Sequence, residues 1–375
     1  MNIAIVADWL PTYGGAEHVV AAFHGLWPDA PLFTTVASKE SLGPLRHAEV
    51  HCDPVLQFLY RCIHRHQYLL PWMPRALERI DLRGFDVVLS SSHAVAKGIV
   101  PSQKSVHICY CHTPMRYAWE MEEEYLRDFR IRGYLRKKIK AELKRLRRWD
   151  LSTVRRVDRF IANSTETQQR IERIYGRDSI VIPPPVEERF FQTSIPAQPS
   201  TLNPQPYFLA LGRLVPYKRF DLLIELANAL RLPLKIGGVG SDATRLRSLA
   251  GPTVEFLEHV DDAALPSLYA HAACLLFPQI EDAGIVPLEA QASGVPVVAY
   301  GRGGILDVIR HRETGLFVGE QTVEAFSAAV RELKSIPWNR SEIRRAAEHF
   351  SLSHFQKRIA EEVQEAYERF HAVIS

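Results

Sequence analysis

Short apolar runs alternate along this chain with longer segments whose apolar residues recur at helical spacing. Residues 2–6, 31–36, 49–52, 86–89, 106–111, 159–162 and 179–182 read as strands, several of them with a single polar position, as expected of strands covered on both faces. Helical patterns stand between them, one capped at Ser164 or Thr165. From residue 187 to 206 the chain turns rich in Pro, Ser, Gln and Thr, the composition of a boundary. The pattern then restarts. YFLAL (207–211), the run before IGGVG (236–240), ACLLFPQ (273–279) and VPVVAY (295–300) are strand-like, and a long amphipathic helix is expected over 355–373. The expected class is α/β, with two doubly wound Rossmann-like halves. Residues 1–186 and 187–352 are expected to form separate domains, followed by the terminal helix 353–375.

In open α/β sheets, ligands bind where loops leave the carboxyl ends of strands, so those exits are where chemistry is sought. The first exit carries Gly14 and Gly15 ahead of a helix with Glu17 in its first turn. G-x-G-x-x-G is absent, so this loop is either a plain turn or one that approaches a ligand. His93 ends one later strand, and His112, followed by Thr113-Pro114, ends the next. Cys109 and Cys111 alternate along that strand and fit core packing. Cys62, His64 and His66 do not match common zinc spacings, so surface and packing roles are expected for them, and no metal is expected.

The second half offers a sharper set. Gly212, Arg213 and Lys218 leave a strand together, two cations beside a glycine that suit a phosphate. Gly237, Gly238 and Gly240 mark a second exit. EDAGIVPLE (281–289) spans a third, with Pro287 fitted to a first helical turn and Gly294 to the stop. There the backbone N–H groups of Ile285 and Val286 can face an anion, and Glu289 can accept from a sugar diol. Glu281 and Glu289 otherwise read as ordinary surface acids.

Composition narrows this further. The 375 residues are 46% hydrophobic and 24% charged, a globular balance too long for one ordinary core. No apolar run approaches the ~18 residues of a membrane span. The start MNIAIVADWL has no basic n-region or cleavage site, and five cysteines are a sparse, odd set, so a reducing cytoplasm is expected. Net charge is only +3, but residues 127–148 are strongly basic, with Arg130, Arg132, Arg136, Lys137, Lys138, Lys140, Lys144, Arg145, Arg147 and Arg148. Leu135, Ile139, Leu143 and Leu146 recur there at helical spacing. Such a helix suits an anionic membrane surface, or is a solvated helix packed by its leucines. Nucleic acid is not expected, because no matching motif accompanies the charge.

In combination, LGRLVPYKRFD, IGGVG, EDAGIVPLEAQASGVPVVA, Gly303-Gly304 and TGLFV, with YGGAE, YCHTP, RFIANS and VIPPPV before them, resemble the retaining family-4 glycosyltransferases of the GT-B fold. CHTPMRYAWE and EDAGIVPLEAQ look like the O-antigen and exopolysaccharide mannosyltransferases among them. The resemblance implies two Rossmann-like domains facing each other across a cleft, with the C-terminal helix crossing back to the first. It implies Arg213 and Lys218 on the diphosphate, Glu289 on the ribose and Glu281 near the donor sugar. Gly284, Ile285, Val286 and Gly238 would contribute to the donor site, His112 would lie beside the hexose, and Gly14 and Gly15 near acceptor and phosphate. It implies a nucleotide-sugar donor, GDP-mannose first among them, with no cofactor or metal. The acceptor would be a glycan or lipid-linked saccharide, met at the cytoplasmic face of the inner membrane. A UDP-sugar donor, or nucleotide-sugar binding without catalysis, are the alternatives. Ala283 replaces the family's aromatic, and Ile305-Leu306-Asp307 departs from its I/V-P-E pattern. No nucleophile stands out for a double displacement, so same-face substitution assisted by the leaving phosphate is preferred.

Overall fold

The structure is a computed structural model that describes residues 1–128, 132–195, 206–258 and 260–374. Arg130 of the basic segment and residues 196–205 of the boundary stretch lie outside the described residues. The chain divides into unit 1, Met1–Pro184 with Phe355–Ser375, and unit 2, Pro185–His354.

Unit 1 holds a parallel sheet of seven strands. They are β1 (Ile3–Ala7), β2 (Leu32–Thr34), β3 (Val50–Cys52), β4 (Val87–Ser92), β5 (Val106–Cys111), β6 (Arg159–Ala162) and β7 (Ser179–Val181). Their order is β3-β2-β1-β4-β5-β6-β7. Every residue of β1, β4 and β5 is buried, which explains the unbroken apolar run of β1 and the apolar start of β4, and the buried polar pair Ser90 Oγ and His107 Nε2 of β4 and β5 lie 2.8 Å apart. The C-terminal helix Leu352–Ile374 contributes Phe355 to this unit, with its ring 6.0 Å from Phe23 and 5.8 Å from Tyr110. Phe355, Ile359 and Val363 are buried, each stabilising the unit by roughly 1.5–3 kcal/mol.

The basic helix runs Gly133–Thr153. The second half of its apolar stripe faces inward: Leu143 and Leu146 are buried in one cluster with Leu56, Leu69 and Met73, and Ile139 packs against it, while Leu135 near the start is exposed. A fully buried ion pair fixes its far end, with Lys97 Nζ 2.8 Å from Asp150 Oδ1. Lys97 Nζ also donates to Thr153 Oγ1, and Trp119 Nε1 and the Tyr175 hydroxyl donate to Asp150. The amphipathic pattern at this end is therefore core packing, and the cations line the other faces.

Unit 2 holds a parallel sheet of six strands: β8 (Tyr207–Leu211), β9 (Leu234–Gly237), β10 (Val254–Leu257), β11 (Ala272–Phe277), β12 (Val297–Tyr300) and β13 (Gly315–Val318). Their order is β10-β9-β8-β11-β12-β13. Along β8, Phe208 and Ala210 enter one core cluster and Tyr207, Leu209 and Leu211 the other, so the sheet is covered on both faces.

Candidate active site

In unit 2, β8 and β11 are neighbours from which the strand order runs outward in opposite directions, so the loops at their carboxyl ends diverge. The loop after β8 starts at Gly212 and ends in the turn Pro216–Lys218. The loop after β11 carries Glu281 and leads into the helix Ile285–Ala292. Lys218 Nζ lies 2.8 Å from Glu281 Oε1, an ion pair without an aligned hydrogen bond, and neither side chain is more than 22% exposed. The pair straddles the point of divergence. Exposed Arg213 shares the first loop, and its guanidinium donates to the Tyr217 hydroxyl at 3.4 Å.

Close backbone packing holds these loops. Gly238, after β9, has φ +137°, and a Cβ there would stand 2.0 Å from the Gly212 carbonyl oxygen. Only glycine meets both conditions. The next contact explains the Gly303-Gly304 pair after β12. Gly304 N–H donates to the Glu281 carbonyl at 2.9 Å, and a Cβ on Gly304 would stand 2.0 Å from the Asp282 carbonyl oxygen. Gly284 caps the helix in a left-handed conformation. Ile285 and Val286 then present N–H groups without an intrahelical acceptor, and Pro287 has none to lose.

Glu289 lies one turn into that helix and is buried, with its Oε2 accepting from the Tyr269 hydroxyl at 2.7 Å. Burial pushes its carboxyl up to about 7, against the pull of the Tyr269 hydrogen bond and the Arg189 charge. Tyr269 is itself fully buried. Nothing in the local sequence pairs them, because Tyr269 sits on a separate helix, Leu265–Ala270, twenty residues upstream.

In unit 1 the strand order diverges between β1 and β4. Asp8, directly after β1, is buried and accepts backbone N–H groups from His93, Ala94, Val95 and Ala96 at 2.5–3.0 Å. His93 Nδ1 lies 2.9 Å from its Oδ2. Burial pushes the Asp8 carboxyl up, but His93 and the backbone donors outweigh it and leave it below its ordinary value. Asp8 therefore shapes the loop after β4, a role its sequence position does not reveal. His112, after β5, is half-buried, with its Nε2 2.8 Å from Ser91 Oγ. Burial pushes its ring down to about 3, helped by the His93 charge, so the imidazole is neutral near pH 7. Gly14 caps the helix Gly15–Leu26 in an extended conformation, and Glu17 in its first turn is buried, which raises its carboxyl. Of the residues weighed as a metal set, Cys62 is exposed and the His66 ring packs on Trp9 at 4.9 Å.

The structure thus gathers Arg213, Lys218, Gly238, Glu281, Gly284, Ile285 and Val286 at one edge of the unit 2 sheet. Gly14, Gly15 and His112 leave the corresponding edge of the unit 1 sheet. Two parallel, doubly wound units of this kind define the GT-B class. Two family models match in succession: Glycosyltransferase Family 4 over residues 13–190, and Glycosyl transferases group 1 over residues 191–350. The chain belongs to the family-4 glycosyltransferases of the GT-B fold.

Among curated proteins, the chain is 30% identical over 226 residues to D-inositol 3-phosphate glycosyltransferase of Rhodococcus opacus, covering 52% of this chain and 51% of that one. It is 31% identical over 195 residues to GDP-mannose-dependent alpha-(1-6)-phosphatidylinositol monomannoside mannosyltransferase of Mycobacterium tuberculosis, covering 45% and 51%. The chain spans about half the length of the curated relatives it matches. Among solved structures, it fits Anabaena HepE in complex with UDP-glucose at TM-score 0.71 and 17% identity, covering 97% of this chain and 100% of that one. It fits sucrose-phosphate synthase from Thermosynechococcus elongatus at 0.73 and 16%, covering 98% and 100%. At such identities the likeness concerns the fold.

Proposed function

We propose that this chain is a retaining glycosyltransferase. It moves a hexose, mannose from GDP-mannose, to a glycan or lipid-linked saccharide in cell-surface polysaccharide synthesis at the cytoplasmic membrane face. The observation that carries this reading is the Lys218–Glu281 pair at the divergence of β8 and β11, beside exposed Arg213 and a helix N-terminus. Cleaving a sugar–phosphate bond builds negative charge on the departing diphosphate. Arg213, Lys218 and the N–H groups of Ile285 and Val286 are the groups to hold it, and the reaction as proposed needs no metal. Without a donor, Glu281 neutralises Lys218. With a donor, the ammonium turns to the diphosphate, and the released carboxylate accepts from hydroxyls of the transferred sugar. Glu289 accepts from the ribose diol.

The anomeric carbon loses its bond to the phosphate oxygen and gains one to the acceptor oxygen on the same face. The acceptor proton passes to the departing phosphate. His112, neutral and anchored through Ser91, is the histidine of unit 1 assigned to this reaction. The choice of mannose draws on the relative named as GDP-mannose-dependent. A thermal-shift panel of GDP-mannose, UDP-glucose and UDP-GlcNAc tests it, since a ligand that binds the folded state raises apparent stability. GDP-mannose is expected to give the largest shift. A shift with the UDP-sugars alone moves the assignment to a UDP-dependent hexosyltransferase, and no shift with any of them overturns the reading.

A further inference from the structure

Thirteen large apolar side chains are exposed among the described residues, and five of them fall within eighteen residues of unit 1: Val55, Phe58, Ile63, Tyr68 and Trp72. They are 41–66% exposed. The backbone that carries them is well anchored. Asp53 caps the helix Pro54–Ile63, and Leu56 is buried with Leu69, Met73, Leu143 and Leu146. Val55, Phe58 and Cys62 follow the i, i+3, i+7 spacing of one helix face, the one turned away from that cluster.

The charge around this face has one sign. Arg61, Arg65, Arg75 and Arg79 are exposed, and no acidic residue lies between Asp53 and Glu78. Both of those acids are engaged, Asp53 as the cap and Glu78 with Trp149 Nε1 and Arg156. The neighbouring helix Gly133–Thr153 meets the segment where Arg145 Nη2 donates to the Pro71 carbonyl at 2.7 Å. It adds exposed Lys137, Lys138, Lys144 and Arg148, and at its start exposed Tyr134 and Leu135. Because Leu143 and Leu146 face inward, this helix alone offers mainly charge. The apolar contribution comes from residues 55–72.

We propose that the exposed face of residues 54–72 is an apolar docking element that seats unit 1 on an anionic lipid bilayer, with the cations of the Gly133–Thr153 helix beside it. Indole and phenol rings flanked by cations suit the headgroup level, where an apolar body and a polar tip are both accommodated. The shared positive charge opposes a second copy of this chain on the same face, since a two-fold contact would bring like charges together. The segment also starts at the edge of the sheet from which His112 departs. Rings connect the two: His66 to Trp9 at 4.9 Å, Trp9 to His93 at 4.7 Å, and His93 to His112 at 6.1 Å. Docking here would bring a lipid-linked substrate close to His112. The inference does not depend on the donor assignment.

The test is co-sedimentation of the full chain with mixed phosphatidylglycerol–phosphatidylcholine vesicles and with phosphatidylcholine alone. It compares wild type, Phe58→Ser/Trp72→Ser and Lys137→Glu/Lys138→Glu. All four positions are exposed, and circular dichroism with thermal melting verifies that the variants are folded. Wild type is expected to bind the anionic vesicles, and each double variant to bind at least about tenfold more weakly, because both apolar and charged contacts contribute. Binding left in the Phe58/Trp72 variant is expected to vanish at high salt, while wild type retains a fraction. The proposal is overturned if that variant binds as wild type does, if wild type ignores anionic vesicles, or if the patch instead supports a self-association that the serine substitutions abolish.

Discussion

Replacing Glu289 by Gln is expected to stabilise unit 2 at alkaline pH while weakening nucleotide binding. The folded carboxyl ionises near 7, raised from an ordinary 4.5 by burial, so the folded chain holds the proton more tightly than the unfolded one. Stability from this group is fully present below 4.5 and is lost as pH rises through about 7. At about 1.4 kcal/mol per pH unit, the interval amounts to about 3 kcal/mol lost by pH 8. The side-chain amide of the Glu289→Gln variant has nearly the shape of the carboxyl, and its carbonyl can still accept from Tyr269, but it never ionises. Urea unfolding of both proteins from pH 4.5 to 8.5 should give matched curves at the acid end and a gap opening to about 3 kcal/mol in favour of the variant at pH 8. Other titrating groups are common to both proteins and cancel in the difference. If Glu289 holds the ribose diol, the same variant binds nucleotide more weakly, and wild-type affinity rises as pH passes through about 7. Stability curves that stay parallel across the whole range would refute the placement of an ionising carboxylate in this buried site.

Two further substitutions test the framework. Lys97→Ala leaves Asp150 buried without its cation and is expected to cost about 3–5 kcal/mol, whereas Lys97→Met with Asp150→Asn should cost clearly less; chemical denaturation measures both. Gly238→Ala places a Cβ against the Gly212 carbonyl in a disfavoured backbone conformation, at a cost of at least about 2 kcal/mol. In a melting experiment it should also abolish any stabilisation by nucleotide, because the Gly212–Lys218 loop must shift.

The architecture is legible in the sequence because it is local. Each apolar run such as IAIVA or YFLAL needs burial on both faces, and the helical pattern after it supplies a cover. Gly212, Lys218 and Glu281 can be placed at strand exits for the same reason. What makes Lys218 and Glu281 partners is the adjacency of β8 and β11, which is a matter of strand order. Tyr269 is hidden from a sequence reading because it meets Glu289 only after two helices pack. Asp8 is hidden because its four backbone donors lie more than eighty residues away, in the loop after β4. The leucines of the basic helix carry a pattern equally suited to lipid and to core, and packing assigns Leu143 and Leu146 to the core. The exposure of the apolar residues of 55–72 is hidden because a helical pattern interrupted by Pro71 and Pro74 does not say which face the rest of the fold covers.

The central claim is that Lys218, paired with Glu281, receives the diphosphate of a nucleotide sugar. Isothermal titration of GDP-mannose into wild type and into Lys218→Ala tests it most directly. One donor per chain with wild type, and affinity at least about tenfold weaker for the alanine variant, is the predicted result, as expected for the loss of a charge-assisted contact. Equal affinity of the two proteins for the nucleotide sugar would contradict it.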